Sequence, residues 1–423
     1  MYVADSRAST PATASVEGTA RPTAAGRYRS TIAPTVLALG TVSLVTDVSS
    51  EMVTAVLPLY LVTGLGLSPL GFGLLDGVYN GFSAVVRLVG GHLADRGGGR
   101  HKWVAGAGYA LSALCKPLLL IAHTLTPIGL ILAADRTGKG LRTAPRDALI
   151  SLSSTPETRG RAFGVHRAMD TAGAFLGPLA AFLILRATVD GYDAVFTVSF
   201  CVAVAGVLVL VLFVPGRRSG TADTGTRPTL RAALGLLAHR DLRRITVCAL
   251  LLGLATVSDS FVYLLLQRRL GVPDGWFPLL PLGTAAAFLL LAVPLGRLAD
   301  RWGRWRVFLA GHGALLAAYA LLLTSWHGSA LPYAVLALHG TFYAATDGVL
   351  MAAASDSVPQ ALRSSGLALV QTGQAGARFA CSLAFGAAWT LWGDRTALLA
   401  AAAALALCAV YALTLRPFRE ATV

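Results

Sequence analysis

The stretch Ala134-Asp135-Arg136-Thr137-Gly138-Lys139-Gly140-Leu141-Arg142-Thr143-Ala144-Pro145-Arg146-Asp147 follows an apolar approach, Leu125-Thr126-Pro127-Ile128-Gly129-Leu130-Ile131-Leu132-Ala133. The approach is of the kind that enters a bilayer. If the helix runs on, Asp135, Lys139, Arg142 and Arg146 fall at i, i+4, i+7 and i+11 and share one face. On insertion scales each such charge costs about 2.5–3.5 kcal/mol at a bilayer centre, and less towards the interface. A chain carries this row only if the face looks into protein or water and the charges find partners.

Composition agrees with a membrane setting. Of 423 residues, 55% are apolar and 13% charged, and the mean hydropathy is +0.64. Soluble domains carry about 25% charged residues, and a soluble core of this length cannot hide so much apolar surface. The long unbroken apolar runs also exclude the alternation of a β-barrel. In a soluble protein the net charge of +14 would point to nucleic acid. Here Arg and Lys gather in alternate loops: Arg96, Arg100 and Lys102; Arg159 and Arg161; Arg217 to Arg244; Arg301, Arg304 and Arg306; Arg416 and Arg419. That is the positive-inside pattern, with both termini expected in the cytoplasm of a cell whose inner or plasma membrane holds the chain. Arg186 and Arg268-Arg269 break it mildly. The five cysteines (Cys115, Cys201, Cys248, Cys381 and Cys408) stand singly in apolar runs, which suits small core residues better than a metal or disulfide framework.

Twelve apolar spans are expected, near 33–63, 69–94, 103–123, 125–148, 160–186, 191–214, 243–267, 275–299, 306–325, 331–355, 363–390 and 394–415. Residues 1–31 read as a disordered cytoplasmic tail rather than a signal peptide. Residues 32–214 form one six-helix half and 243–415 the other, with 416–423 a second tail. The Gly/Thr/Arg-rich stretch 215–242 is the cytoplasmic linker, and its part Leu230 to Leu242 fits a basic amphipathic helix at the membrane surface. An internal repeat supports the division: Gly91-His92-Leu93-Ala94-Asp95-Arg96 returns 205 residues later as Gly296-Arg297-Leu298-Ala299-Asp300-Arg301. Gly91 and Gly296 would let helices approach, and the Asp-Arg pair would lock neighbouring helix ends. Parallel repeats of this size are a transporter feature, with the substrate site between the halves near the midplane.

These features resemble the major facilitator superfamily, and within it the proton-coupled drug-exporter branch; the likeness covers nearly all of the chain from about residue 32. The loop motif stands as Gly91 to Asp95-Arg96 with Gly98-Gly99-Arg100, Gly99 replacing the usual basic residue. The fourth-helix motif stands as Arg136-Thr137-Gly138-Lys139-Gly140, with Lys139 for a glutamine. The fifth-helix motif stands as Gly173-Ala174-Phe175-Leu176-Gly177-Pro178, followed by Leu179-Ala180. The resemblance implies an all-α membrane protein of two pseudo-symmetric six-helix bundles working by alternating access. It implies that Arg136 takes part in proton coupling, Asp95 and Arg96 (with their counterparts Asp300 and Arg301) in an inner gate latch, and Gly173, Gly177 and Pro178 in a hinge-like fifth helix.

The remaining intramembrane charges are weighed by cost. Asp47 and Glu51 lie i, i+4 half-way through the first span. They form either a salt-bridged structural pair or a proton site, Glu51 being the better candidate to face substrate. Asp259 occupies a comparable place in the seventh span, and Asp347 and Arg378 extend the polar lining. Gln371 and Gln374 precede Arg378 as candidate ligand donors. In the fifth span His166, Arg167 and Asp170 fall within one turn, and Arg167-Asp170 reads equally as an ion pair facing the fourth helix. Arg87, Asp76 and Lys116 read as structural pairs or snorkelling groups, and His312 and His339 are assigned no role.

No nucleotide or hydrolase signature occurs, and Thr137-Gly138-Lys139-Gly140 lacks the strand and first glycine of a P-loop. The expected function is therefore not enzymatic, with no cofactor and no metal site. It is export of a small organic compound against proton entry, in which protonation of Glu51 or Asp47 weakens a pairing with Arg136 or a neighbour. The cations of the fourth span suggest an anionic or metal-chelating substrate. A proton symporter for nutrient uptake is the near alternative. A lipid-diphosphate transferase holding a divalent ion on Asp47-x-x-x-Glu51 is the remote one. The partners expected are lipid bilayer, substrate and protons, with no nucleic acid, and the chain is expected to be a monomer.

Overall fold

Pro34 opens the first helix at its first position, where its missing N–H costs nothing, and near-continuous helix follows to Leu415. The computed structural model describes residues 33–96, 101–155, 158–189, 191–216, 235, 238, 240–326, 328–356 and 363–415. The side chains of 83–85 and 87–96 lie outside the described residues. In the first half the helices are α1 (Pro34–Leu59, continued by a π-helical turn Tyr60–Gly64), α2 (Pro69–Arg96), α3 (His101–Ile121), α4 (Leu125–Leu152), α5 (Arg159–Ala187) and α6 (Gly191–Phe213). In the second they are α7 (Arg240–Ala255), α8 (Asp259–Leu270), α9 (Leu279–Trp302), α10 (Arg304–Leu323), α11 (Leu331–Asp356), α12 (Arg363–Trp392) and α13 (Asp394–Leu415). Helices α7 and α8 are two pieces of one span, so the chain crosses the bilayer twelve times, in two pseudo-symmetric six-helix bundles. Both ends of the helical part then lie on one side, called here the terminus side, and the 65–68 loop lies on the distal side.

The seventh span, expected to be continuous over 243–267, is broken at 256–258. Thr256 and Val257 are β-branched, and Ser258, Asp259 and Ser260 compete for local backbone bonds, so helix propensity is weakest here. The freed groups are satisfied within the protein: Val257 N–H donates to Tyr319 Oη at 2.8 Å, and Cys381 Sγ donates to Thr256 O at 3.1 Å. Non-helical backbone at this depth is tolerated only where protein or a cavity surrounds it.

Eight segments among the described residues are long and apolar enough to cross a membrane by composition alone. The four spans that are not, α2, α4, α11 and α12, carry Asp76, the fourth-span charge row, Asp347 and Arg378. They face protein instead of lipid. Within the first half α3 and α4 meet backbone to backbone, a Cβ on Gly108 falling 2.6 Å from Gly138 O. Between the halves α2 lies along α12. A Cβ on Gly386 would come 2.5 Å from Pro69 O, one on Gly77 would meet Phe379 at 3.1 Å, and one on Gly73 would collide with Ser382 O. Leu70 N–H donates to Thr390 Oγ1 at 3.0 Å, and Phe72 packs edge-on against Phe261 at 4.9 Å. Phe182 on α5 meets Trp276 at 5.4 Å. All of these join the halves towards the distal side.

Three local expectations change. A Cβ on Gly296 meets open space, so that glycine does not serve a close helix approach. Asp300 pairs along its own chain with Arg304 at 3.8 Å and is largely exposed, and Arg301 is exposed as well. Cys201 faces outward, whereas Cys115, Cys248 and Cys381 are buried. The side chains of the first copy of the repeat, Gly91, Asp95 and Arg96, the loop 97–100 and most of the linker helix expected at 230–242 fall outside what the structure describes.

The glycine contacts make a paired prediction. Gly108→Val forces side-chain atoms into the α3–α4 contact, an overpacking cost of about 1–3 kcal/mol, and lowers the thermal unfolding midpoint of the detergent-solubilised protein. Gly296→Ala leaves that midpoint unchanged.

Candidate transport site

The α4 row is neutralised pair by pair. Asp135 accepts from Arg136 at 3.0 Å and from Ser112 at 2.5 Å, with Lys116 at 3.9 Å. Lys139 lies 3.6 Å from Glu51, and Arg142 donates to Asp47 at 3.1 Å. Arg146 donates to Asp147 at 3.1 Å and to Ser43 at 3.3 Å, and stands 3.7 Å from Asp170. Asp170 is also 3.7 Å from Arg167 and 4.0 Å from the buried His166. Arg136 stacks on Tyr79 at 3.7 Å and Arg142 on Tyr109 at 4.6 Å, contacts that suit the flat guanidinium. The fifth-helix motif makes this register possible. A Cβ on Gly173 would lie 2.6 Å from Leu44 O, and one on Gly177 2.7 Å from Glu51 Cβ. These glycines, with the buried Pro178 one step on, hold α5 directly against the stretch of α1 that carries both acids.

Of these charges only Glu51 reaches the space between the halves. A cavity of about 350 Å³ is walled from the first half by Glu51, Thr54, Tyr79 and Asn80, and from the second by Asp259, Tyr343, Asp347 and Arg378. Glu51 and Lys139 remain partly exposed, at 27% and 34% of their side chains, whereas Arg142 is 3% exposed. Asp47, Arg136, Arg142 and Asp170 therefore sit behind the cavity wall, as a buried ionic layer. The expected pairing of Glu51 or Asp47 with Arg136 is replaced by pairs with Lys139 and Arg142, because Arg136 is taken by its neighbour Asp135. Gln371 also leaves the expected lining, its Nε2 lying 3.5 Å from Met351 Sδ. Gln374 lines a small side cavity beside Arg378 and Asp347.

The second half repeats the arrangement. Asp259, at the start of α8, lies 3.4 Å from His339 Nε2 and accepts a short hydrogen bond from Tyr343 Oη. His339 Nδ1 lies 3.4 Å from Thr284 Oγ1. Glu51 belongs to the first span of its half and Lys139 to the fourth; Asp259 and His339 belong to the first and fourth spans of theirs. Each half thus presents an acid from its first span held by a base from its fourth. His339 and Tyr343 were not singled out in the sequence, yet His339-x-x-x-Tyr343-x-x-x-Asp347 places three polar groups on one helical face. Asp76, expected to be a structural or snorkelling group, accepts from Ser382 across the seam at 2.6 Å.

A Major Facilitator Superfamily model matches residues 39–382 and 275–422. The chain belongs to that superfamily. An uncharacterized MFS-type transporter of Methanocaldococcus jannaschii is 29% identical over 368 residues, 85% of this chain and 89% of its own length. The multidrug resistance protein MdtH of Photorhabdus laumondii is 30% identical over 178 residues, 41% of this chain and 42% of its own. Among solved structures the nucleoside transporter NupG superposes with a TM-score of 0.78 over 90% of this chain and 99% of that one, at 13% identity, which is a likeness of fold. The superfamily member described here is an integral multi-pass membrane protein and a secondary transporter of small molecules, not an enzyme.

The buried pair behind the wall gives the second prediction. Arg142→Gln leaves Asp47 buried without its cation, a loss of about 3–5 kcal/mol for such pairs, read as a drop in thermal midpoint. Adding Asp47→Asn to that variant removes the stranded charge and restores most of the stability.

Proposed function

We propose that this transporter exports a small organic compound across the cell membrane in exchange for protons, by alternating access of one central cavity, with both termini in the cytoplasm. The observation that carries the reading is the pair of carboxylates on opposite walls of the cavity, Glu51 with Lys139 and Asp259 with His339. A proton arriving on Glu51 removes its charge and releases Lys139. The released pair no longer resists the rearrangement of α1 against α4, and substrate leaves as the proton is carried inward. Arg136 acts in this scheme as a positioning residue, holding Tyr79 on the cavity wall and Asp135 behind it. The limited likeness to a multidrug resistance protein supports the outward direction.

The charge balance of the cavity changes the substrate class expected from the fourth span. The cations there are matched by Glu51, Asp47, Asp135, Asp147 and Asp170. The cavity wall itself carries Glu51, Asp259 and Asp347 against Arg378. A basic or cationic compound with an aromatic body fits this wall, with Tyr79, Tyr263, Phe277 and Phe288 as its apolar and stacking surfaces.

Everted membrane vesicles with an acidic lumen test both parts. Adding a lipophilic organic cation such as ethidium to the wild-type vesicles releases luminal protons, seen as recovery of a quenched acridine dye, and Glu51→Gln abolishes the recovery. Full recovery in the Gln variant refutes the coupling role of Glu51. Recovery driven only by organic anions refutes the substrate class.

A further inference from the structure

A cavity larger than the central one lies outside the transport path. It is a groove of about 880 Å³ between α10 and α13, walled by Leu309, Leu405 and Ala409, floored by Gly313, with Trp305 and Arg306 at its terminus-side mouth. Both helices are apolar enough to cross the membrane. The α13 residues beside the groove point outward, Leu407 being 72% and Val410 60% exposed, so the groove faces lipid. From Trp305 to Leu316, its far end on α10, a helix rises about 17 Å. That is close to half of a hydrocarbon core of about 30 Å, the depth of one leaflet.

The mouth and the floor differ in a way that selects an occupant. Arg306 is exposed at the rim, and Arg301 and Arg304 lie within five residues of it. Asp300 pairs with Arg304 at 3.8 Å, and Arg301 and Arg306 are exposed beside them. The interior is mainly aliphatic, its one further polar side chain, His312, being bonded to Phe308 O at 2.9 Å, and a Cβ on Gly313 meets no atom within 4 Å. A basic rim over an apolar slot one leaflet deep matches an amphiphile with an anionic head. We propose that this groove binds one anionic phospholipid of the terminus-side leaflet, its phosphate at Arg306 and one acyl chain along Leu309 to Leu316. Such a lipid packs α10 against α13 on the outside of the second half, away from the central cavity.

The full-length protein, purified in detergent and stripped of lipid, is titrated with phosphatidylglycerol, or with phosphatidylcholine as the neutral comparison, and bound lipid is counted by native mass spectrometry. Gly313→Leu extends a side chain into the slot from a Cβ position with no atom within 4 Å, and its thermal midpoint without lipid reports that it folds. Ala409→Leu blocks the same slot from the opposite wall should the first variant fail to fold. Wild type is expected to retain one phosphatidylglycerol in preference to phosphatidylcholine. Either blocking variant loses it, and Arg306→Gln binds it about fivefold more weakly, the effect of one basic residue at an anionic surface. Unchanged binding in the blocking variants overturns the site, and equal retention of the two lipids overturns the role of the headgroup. A dimer peak that Gly313→Leu abolishes, in place of bound lipid, shows that a second copy covers the groove and likewise refutes the proposal.

Discussion

Ionised side chains inside a bilayer need partners, and α4 brings more of them than any other span. Unpaired, a row of four would cost about 2.5–3.5 kcal/mol for each member on insertion scales, comparable in sum to the whole stability of many proteins. The partners come from helices distant in sequence: Asp47 and Glu51 on α1, Asp170 on α5 and Lys116 on α3. Those helices must pack around α4 in one register for the row to be neutralised. Gly173 and Gly177 allow α5 to reach α1, and Gly108 and Gly138 allow α3 to reach α4. The charge row and the small-residue contacts are thus one device. The first makes a specific arrangement necessary, and the second makes it sterically available.

Pairing alone would give a static bundle. The pairing is, however, uneven across the wall. Arg142 and Asp47 stand behind it, 3% and 15% exposed, while Lys139 and Glu51 keep about a third of their surfaces exposed and Glu51 reaches the cavity. A sealed pair is costly to break and cheap to keep, which suits a scaffold. A partly wetted pair exchanges partners at lower cost, which suits a group that must meet proton and substrate in turn. The same contrast appears in the second half, where Asp259 faces the cavity and His339 stands behind it, wholly buried.

The membrane class, the span count and the two-fold repeat were legible in the sequence because they rest on long-range composition and on the copied Gly-x-x-x-Asp-Arg pattern. The acids at Glu51 and Asp259 were legible because a lone carboxylate in an apolar run has a cost that demands a reason. Partner identity was not. Arg136, Lys139 and Arg142 lie within two turns, and rotating α1 by the angle of one residue exchanges which of them an acid meets. The approach of α5 through Gly177 and the Ser49–Ser199 hydrogen bonds to α6 fix that rotation. His339 is assigned no role from sequence because a histidine in an apolar span is ordinary by itself, and its meaning comes from Tyr343 and Asp347 at the next two turns. The hydrogen bond to Asp76 comes from Ser382, 306 residues away.

The break at 256–258 shows how these constraints meet at the midplane. A continuous seventh helix would bury its own backbone groups and present only side chains to the cavity. Interrupting it puts Thr256, Val257 and Ser258 on the cavity wall and starts α8 at Asp259, whose carboxylate then sits at a helix N-terminus, where the backbone dipole favours negative charge. The interruption is held by groups of the same half, Tyr319 on α10 and Cys381 on α12. It therefore moves with that half when α2 parts from α12. A carboxylate positioned by its own bundle keeps its place whatever the facing bundle does. Glu51 is held in the same manner by α4 and α5 of the first half. The position of each acid is thus set within its own half, and only the cavity between them is shared by both.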